Sequence, residues 1–287
     1  MKQEEPGMQA VIEGRGRAAR EGRFLAFQER LSRELLQHRV IRDNRYTAWF
    51  RRGEQNEAQV KAFIVQFSVF SNQFLAAQLN KMINADTLES MRASKEILAN
   101  EIGVVFHRGA ERREPDGSGA FDPERAGTEG SIQGSRFHFE AAHFEWLYRI
   151  AQALGLRFDE IGKRRFATPA TLFFCDELIR IYGHEDYSTS QSASYAVENW
   201  AAAGFWKELI EGLTRYNERT GARLPLGFFV WHDRVEAQHA LHIREELEQY
   251  YFEIDVDEDA FIRYGNEMLE GVAAFWDGLE EQRRTLA

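Results

Sequence analysis

The stretch FFVWHDRVEAQHALH, Phe228 to His242, sets His232, Glu236 and His239 at spacings of four and three. At 3.6 residues per turn these side chains fall within roughly 60° of one another on a helix. Phe228, Phe229, Val230, Trp231, Val235 and Leu241 surround them with apolar bulk, so the stripe is expected to face an interior. An unpaired ionisable group there costs several kcal/mol, so the stripe calls for partners. A metal ion is one such partner, and two imidazoles with a carboxylate suit a first-row metal.

Other helical stretches offer donors among apolar neighbours. His143 sits in AAHFEWLYRI, Glu101 in ILANEIGVVF, and Glu198 in SYAVENWAAAGF, where small residues let another helix or a ligand come close. With His232, Glu236 and His239 they make three imidazoles and three carboxylates drawn from four helices. Two carboxylate-bridged irons need about that set, with glutamates bridging and balancing charge and imidazoles filling terminal positions. Glu140 stands one turn before His143, the Glu-x-x-His spacing of diiron carboxylate bundles, and is a candidate seventh ligand in one redox state. The remaining histidines read differently. His38 and His184 suit surface or cap positions, His107 and His138 flank a loop and compete with His143, and His242 suits a supporting hydrogen bond beside His239.

The elements that position these residues read as helices nearly everywhere. Expected helices run from about Glu21 to His38, from Glu54–Ala58 through NKMI with aromatics at Phe63, Phe67, Phe70 and Phe74, and from an N-cap at Asp86 or Thr87. Residues 107–136, rich in Gly, Asp, Glu and Arg, read as a long loop inserted in the domain. Helix resumes at FHFEAAH and stops at Gly155; Thr168 caps the next, with Pro169 at its first position and Gly183 beyond its end. One long helix is expected to close at Gly221, the ligand helix to run from Pro225 to about Tyr251, and the last to be capped by Asp255 or Asp257. No strand is expected. The fold class is all-α, a bundle of seven to eight helices.

Composition narrows the function classes. Among 287 residues there are 22 Phe, 6 Trp, 5 Pro and 1 Cys. Scarce proline suits long helices, since proline inside one costs about 3 kcal/mol. The lone Cys175 excludes an intrachain disulfide and, inside TLFFCDELI, reads as a small hydrophobe rather than a nucleophile. A net charge of −10 argues against a nucleic-acid partner. No apolar run approaches the ~18 residues a bilayer span needs, and MKQEEPGMQ lacks the apolar segment of a secretory signal. A cytoplasmic protein without membrane partners is expected, with residues 1–20 as an N-terminal extension free to move and 21–287 as one helical domain. A homodimer stays open.

The matched segments resemble the heme-oxygenase-like diiron oxidases and oxygenases, which share their fold with heme oxygenase and with thiaminase-type and pyrroloquinoline-quinone-synthase proteins. HDRVEAQH is similar to that family's last metal helix at His232, Glu236 and His239, although the family often has Asp where Glu236 stands. ANEIG supplies Glu101, HFEWLYRIAQALG supplies His143, and SYAVENW supplies Glu198. The likeness covers roughly Asp43 to Tyr251, and the loop between Glu101 and His143 is long for smaller members. It implies two Fe(2+) per chain, O2 as co-substrate, and a small organic substrate resembling a fatty acid, an amino acid or an amine. It includes enzymes that cleave C–C bonds, hydroxylate nitrogen, or build p-aminobenzoate from their own tyrosine, for which Tyr46 falls in the corresponding part. A carboxylate-bearing substrate would want a cation such as Lys207, Arg215 or Arg244. Two other readings stand beside it: a metal-free thiaminase- or PQQ-synthase-like enzyme on the same fold, and a non-catalytic protein binding a small ligand.

Overall fold

The structure, a computed structural model, describes residues 8–106, 128–129, 137–139 and 141–287; side chains at 8–19, 105–106, 128–129, 137–139 and 235–245 fall outside the description. Eleven α-helices stand among the described residues: α1 (Met8–Glu34), α2 (Arg39–Arg42), α3 (Arg45–Phe50), α4 (Glu57–Ile83), α5 (Leu88–Glu101), α6 (His143–Ala153), α7 (Pro169–Glu177), α8 (Tyr187–Ala201), α9 (Phe205–Thr220), α10 (Gly227–Glu253) and α11 (Glu258–Thr285). The count exceeds seven to eight for two physical reasons. α2 and α3 occupy the connection read as a turn. The helix expected to run unbroken to Gly221 divides at Gly204, whose φ of 96° is a left-handed conformation that ends one helix and caps the next.

Local chemistry sets most helix starts. Asn56 and Gln59 form a reciprocal capping box on α4; Thr87, Thr168, Asp186 and Asp257 accept hydrogen bonds from the first turns of α5, α7, α8 and α11. Each such cap contributes about 1 kcal/mol. Pro169 takes the first position of α7, which continues into a single π-helical turn, Leu178–Tyr182, before Gly183.

The core is aromatic. The α4 stripe at Phe63, Phe67 and Phe70 is buried, with Phe74 packed at its edge. It meets α11 through Phe275, α10 through Phe228 and Phe229, and α9 through Trp206. α11 packs along α8, α7 and α4, α10 lies against α8 and α9, and α5 and α6 lie against α4.

A small antiparallel sheet departs from the strandless expectation. β1 (Val104–Phe106), β2 (Thr128–Glu129) and β3 (Phe137–Phe139) lie in the order β1-β3-β2, with Val104 opposite Phe139 and Phe106 opposite Phe137. VVF and FHF are β-branched and aromatic triplets, suited to a pleated surface. Their pairing joins the end of α5 to the approach of α6, so α6 starts at His143 rather than at Phe137. No helix among the described residues is long and apolar enough to cross a membrane.

Candidate metal centre

Three donors converge where α5, α6 and α10 meet. Glu101 is the last residue of α5, His143 the first of α6, and His232 lies one turn and a half into α10. One ligand atom from each falls within 4.8 Å of the other two. The strand pair β1–β3 explains how residues 42 positions apart meet, since closing that ladder returns the chain to the end of α5.

His143 is buried, and its Nδ1 lies 2.9 Å from Glu101 Oε2. That contact lacks hydrogen-bond geometry, and the nitrogen makes no hydrogen bond. A buried ring nitrogen close to a carboxylate oxygen without bonding to it is an orphan under ordinary pairing rules. It fits two donors that share a cation instead: atoms each about 2.1 Å from one first-row ion, at right angles, stand about 3 Å apart. His232 is prepared in a complementary way. Its Nδ1 lies 2.7 Å from the Phe228 carbonyl oxygen, one turn earlier on α10. A carbonyl only accepts, so Nδ1 carries a proton, and in the neutral imidazole Nε2 keeps its lone pair.

Aromatic rings wall the donors. Trp206 stacks on His232 at 4.8 Å between centroids and 21° between planes. Trp231 lies 4.3 Å from His143, with Trp146 at 5.6 Å. The two imidazoles themselves stand 4.9 Å apart, edge to face. These ring contacts fix the orientation of the imidazoles, which sharpens donor geometry.

The other expected ligands divide into two groups. Glu198 is buried on α8, outside the three-donor group, and lines a cavity. α10 runs unbroken through positions 236 and 239, and the side chains of Glu236, His239, His242 and Arg244 lie outside the described residues. Glu140 and His107 also lie outside them, as does the side chain of His138 on β3. His38 and His184 behave as cap and turn residues: each accepts a backbone N–H through Nδ1, from Val40 and Asp186 respectively.

The cavity has a volume of about 660 Å³ and lies among α4, α5, α8 and α10. On α5 it is lined by Ser90, Ser94 and Ile97, a helical face on which Glu101 is the next step; on α8 it is lined by Ser194 and Glu198. Lys81, buried on α4, also faces it, a residue the sequence reasoning passed over. Its signal was present, because Lys81 extends the Phe67–Phe70–Phe74 stripe by a further seven residues. Lys81 Nζ donates to Ser194 Oγ at 2.6 Å and lies over the Tyr182 ring. Tyr182 in turn donates to Gln78 Oε1 at 2.6 Å, and Gln78 donates to the Ser94 carbonyl. Burial pushes the Tyr182 hydroxyl well above its ordinary range, and the charges of Glu198, Glu246 and Glu101 push the same way.

Two of the candidate substrate cations lie elsewhere. Lys207 is exposed, and Arg215 donates to the Arg51 carbonyl on the outside of α9. Tyr46 is buried among Trp49, Phe50, Phe63 and Trp276, and burial raises its hydroxyl far above the ordinary value. Cys175 is fully buried, and burial pushes its thiol up to about 12, so it is a packing residue.

No protein-family model matches the chain, and no curated protein matches it. Solved structures do. A domain of unknown function with a heme oxygenase-like fold from Shewanella denitrificans OS217 aligns with a TM-score of 0.58 at 13% identity, covering 86% of this chain and 88% of that one. A CADD-like protein of unknown function from Nostoc punctiforme PCC 73102 aligns with the same TM-score and identity, covering 93% and 97%. The chain therefore has the all-α, heme-oxygenase-like fold. At this identity the likeness fixes architecture, and chemistry has to be argued from the side chains.

Proposed function

We propose that this chain is a non-heme diiron, O2-dependent oxidase or oxygenase acting on a small organic substrate. The observation that carries the reading is the convergence of Glu101, His143 and His232, with a buried His143 nitrogen that bonds to nothing else. Glu101, His143 and His232 would hold one iron; Glu198, with Glu236 and His239 from the expected stripe and Glu140 as a further carboxylate, would complete a two-iron set. Paired irons in such sites stand about 3.5–4 Å apart, so donors to the second are expected beyond the tight group formed by the first. Ferrous ions bound there would supply the electrons with which O2 is reduced and a substrate oxidised.

The chain's own contributions follow from its contacts. The Phe228 carbonyl holds His232 in the tautomer that presents Nε2. Trp206, Trp231 and Trp146 keep the imidazoles in place. Glu198 lines the cavity, through which a substrate would reach the reacting centre if Glu198 holds the second iron. The all-buried Cys175 supplies no nucleophile for a hydrolytic alternative.

Anaerobic titration with ferrous ion, followed by metal analysis, tests the proposal. Two irons per chain are expected, falling in the His143→Ala protein. No uptake, or uptake untouched by His143→Ala, would overturn it in favour of metal-free chemistry or simple ligand binding.

A further inference from the structure

Apart from its donors, the molecule's most distinctive feature is the charge layout of the 660 Å³ cavity. Its volume lies inside the usual range for small-ligand sites, about 300–1,000 Å³. Its outer lining carries Asp86, Glu89, Glu96 and Glu253, all exposed, and deeper in lies the half-buried Glu246. Its inner lining holds buried Lys81 and Glu198. Its apolar lining comes from Ala93, Ile97, Ile254 and the rings of Tyr187 and Tyr250.

We propose that this cavity selects an organic cation, a substrate bearing a primary ammonium or guanidinium group, and orients it with the charge outward at Glu246 and the uncharged carbon body inward toward Glu198. The proposal deepens the iron-oxidase reading and rests on it for the identity of the inner end. Three observations converge. The mouth carboxylates attract cations and repel fatty-acid carboxylates. Glu246 is held in place by Gln191, whose Nε2 donates to its Oε1 at 2.9 Å, so one carboxylate is fixed as an anchor. Lys81 places a positive charge at the inner lining, which disfavours a substrate entering with its cation first.

Six-carbon probes separate these ideas, with binding measured by calorimetry on metal-free and ferrous-loaded protein alike. Hexylammonium is expected to bind at least about tenfold more tightly than hexanoate. Hexane-1,6-diammonium, although more highly charged, is expected to bind more weakly than hexylammonium, because its second cation meets Lys81. Glu246→Gln should lower hexylammonium affinity about tenfold while leaving hexanol binding unchanged. Lys81→Met should remove the penalty on the diammonium, and Glu253→Gln, at an exposed site, serves as a fold-safe second variant with a smaller loss. Hexanoate binding as tightly as hexylammonium, a diammonium preferred by the unaltered protein, or indifference to Glu246→Gln would each overturn the proposal. Because metal-free protein is included, a failure of iron uptake with cation selectivity intact sinks only the oxidase reading, and the reverse result sinks only this one.

Discussion

The last two long helices, α10 and α11, are 27 and 28 residues long, yet the chain uses them for opposite purposes. α11 buries Phe261, Ile262, Met268, Leu269, Val272, Ala273, Phe275, Trp276 and Leu279 along a continuous stripe against α8, α7 and α4. Among the residues of α10 whose side chains are described, Phe228, Phe229, Leu247, Tyr250 and Tyr251 are buried apolar ones. Between Phe229 and Leu247 the helix carries His232 and the carboxylate-imidazole sequence through His239. The difference teaches how the fold accommodates a polar interior. One helix supplies hydrophobic burial, worth roughly 25 cal/mol per Å², while its neighbour brings His232 to Glu101 and His143.

That division makes the two helices separable by mutation. The largest expected effect is on α11: Trp276→Ala, which empties a site packed by Tyr46, Trp200, Phe205 and Phe275, should cost about 3–5 kcal/mol in chemical denaturation. Iron uptake by the folded fraction should persist. His232→Ala on α10 should show the opposite pattern, with ferrous affinity falling about 100-fold or more and a smaller change in unfolding midpoint than Trp276→Ala. If both variants lost stability equally and neither altered metal uptake, the division would be wrong.

A pH titration sharpens the structural side. Cys175 lies on α7, which packs against α11, and its thiol rises from an ordinary 9.0 to about 12 through burial. Above pH 9 the unfolded chain releases this proton while the folded chain keeps it, so folding stability should fall as pH rises from 9 toward 12. The slope from this one group is up to about 1.4 kcal/mol per pH unit. Below pH 9 the thiol should leave stability unchanged and resist alkylation in the native protein; rapid labelling at pH 8 would contradict the packing. The smallest expected effect is Asp257→Ala, which removes the acceptor for the Ala260 N–H at the start of α11 and should cost about 1 kcal/mol.

Much of this was legible in the sequence because it is local. Thr168-Pro169, Thr87 and Asp257 state where helices begin, and the Phe63–Phe74 spacing states which face of α4 is buried. Glu101, His143 and His232 could be picked out individually, since each interrupts an apolar face. Other features depend on contacts that no local pattern records. The β1–β3 pairing needs two triplets on either side of residues 107–136 to find each other. The Gly204 break appears only as a φ value in an otherwise helical run. Lys81 was hidden for a different reason: a lysine near a helix end usually lies in water, and the polar partners that keep it inside, Ser194 and Tyr182, come from α8 and the π-turn after α7.

The central claim is that Glu101, His143 and His232 share a cation. Diffraction from crystals soaked anaerobically in ferrous ion, recorded across the iron absorption edge, tests it most directly. The account predicts an anomalous peak bonded to all three residues, with a second iron peak about 3.5–4 Å away toward Glu198. A filled crystal with no peak between those residues, and His143 Nδ1 instead hydrogen-bonded to Glu101, would contradict it.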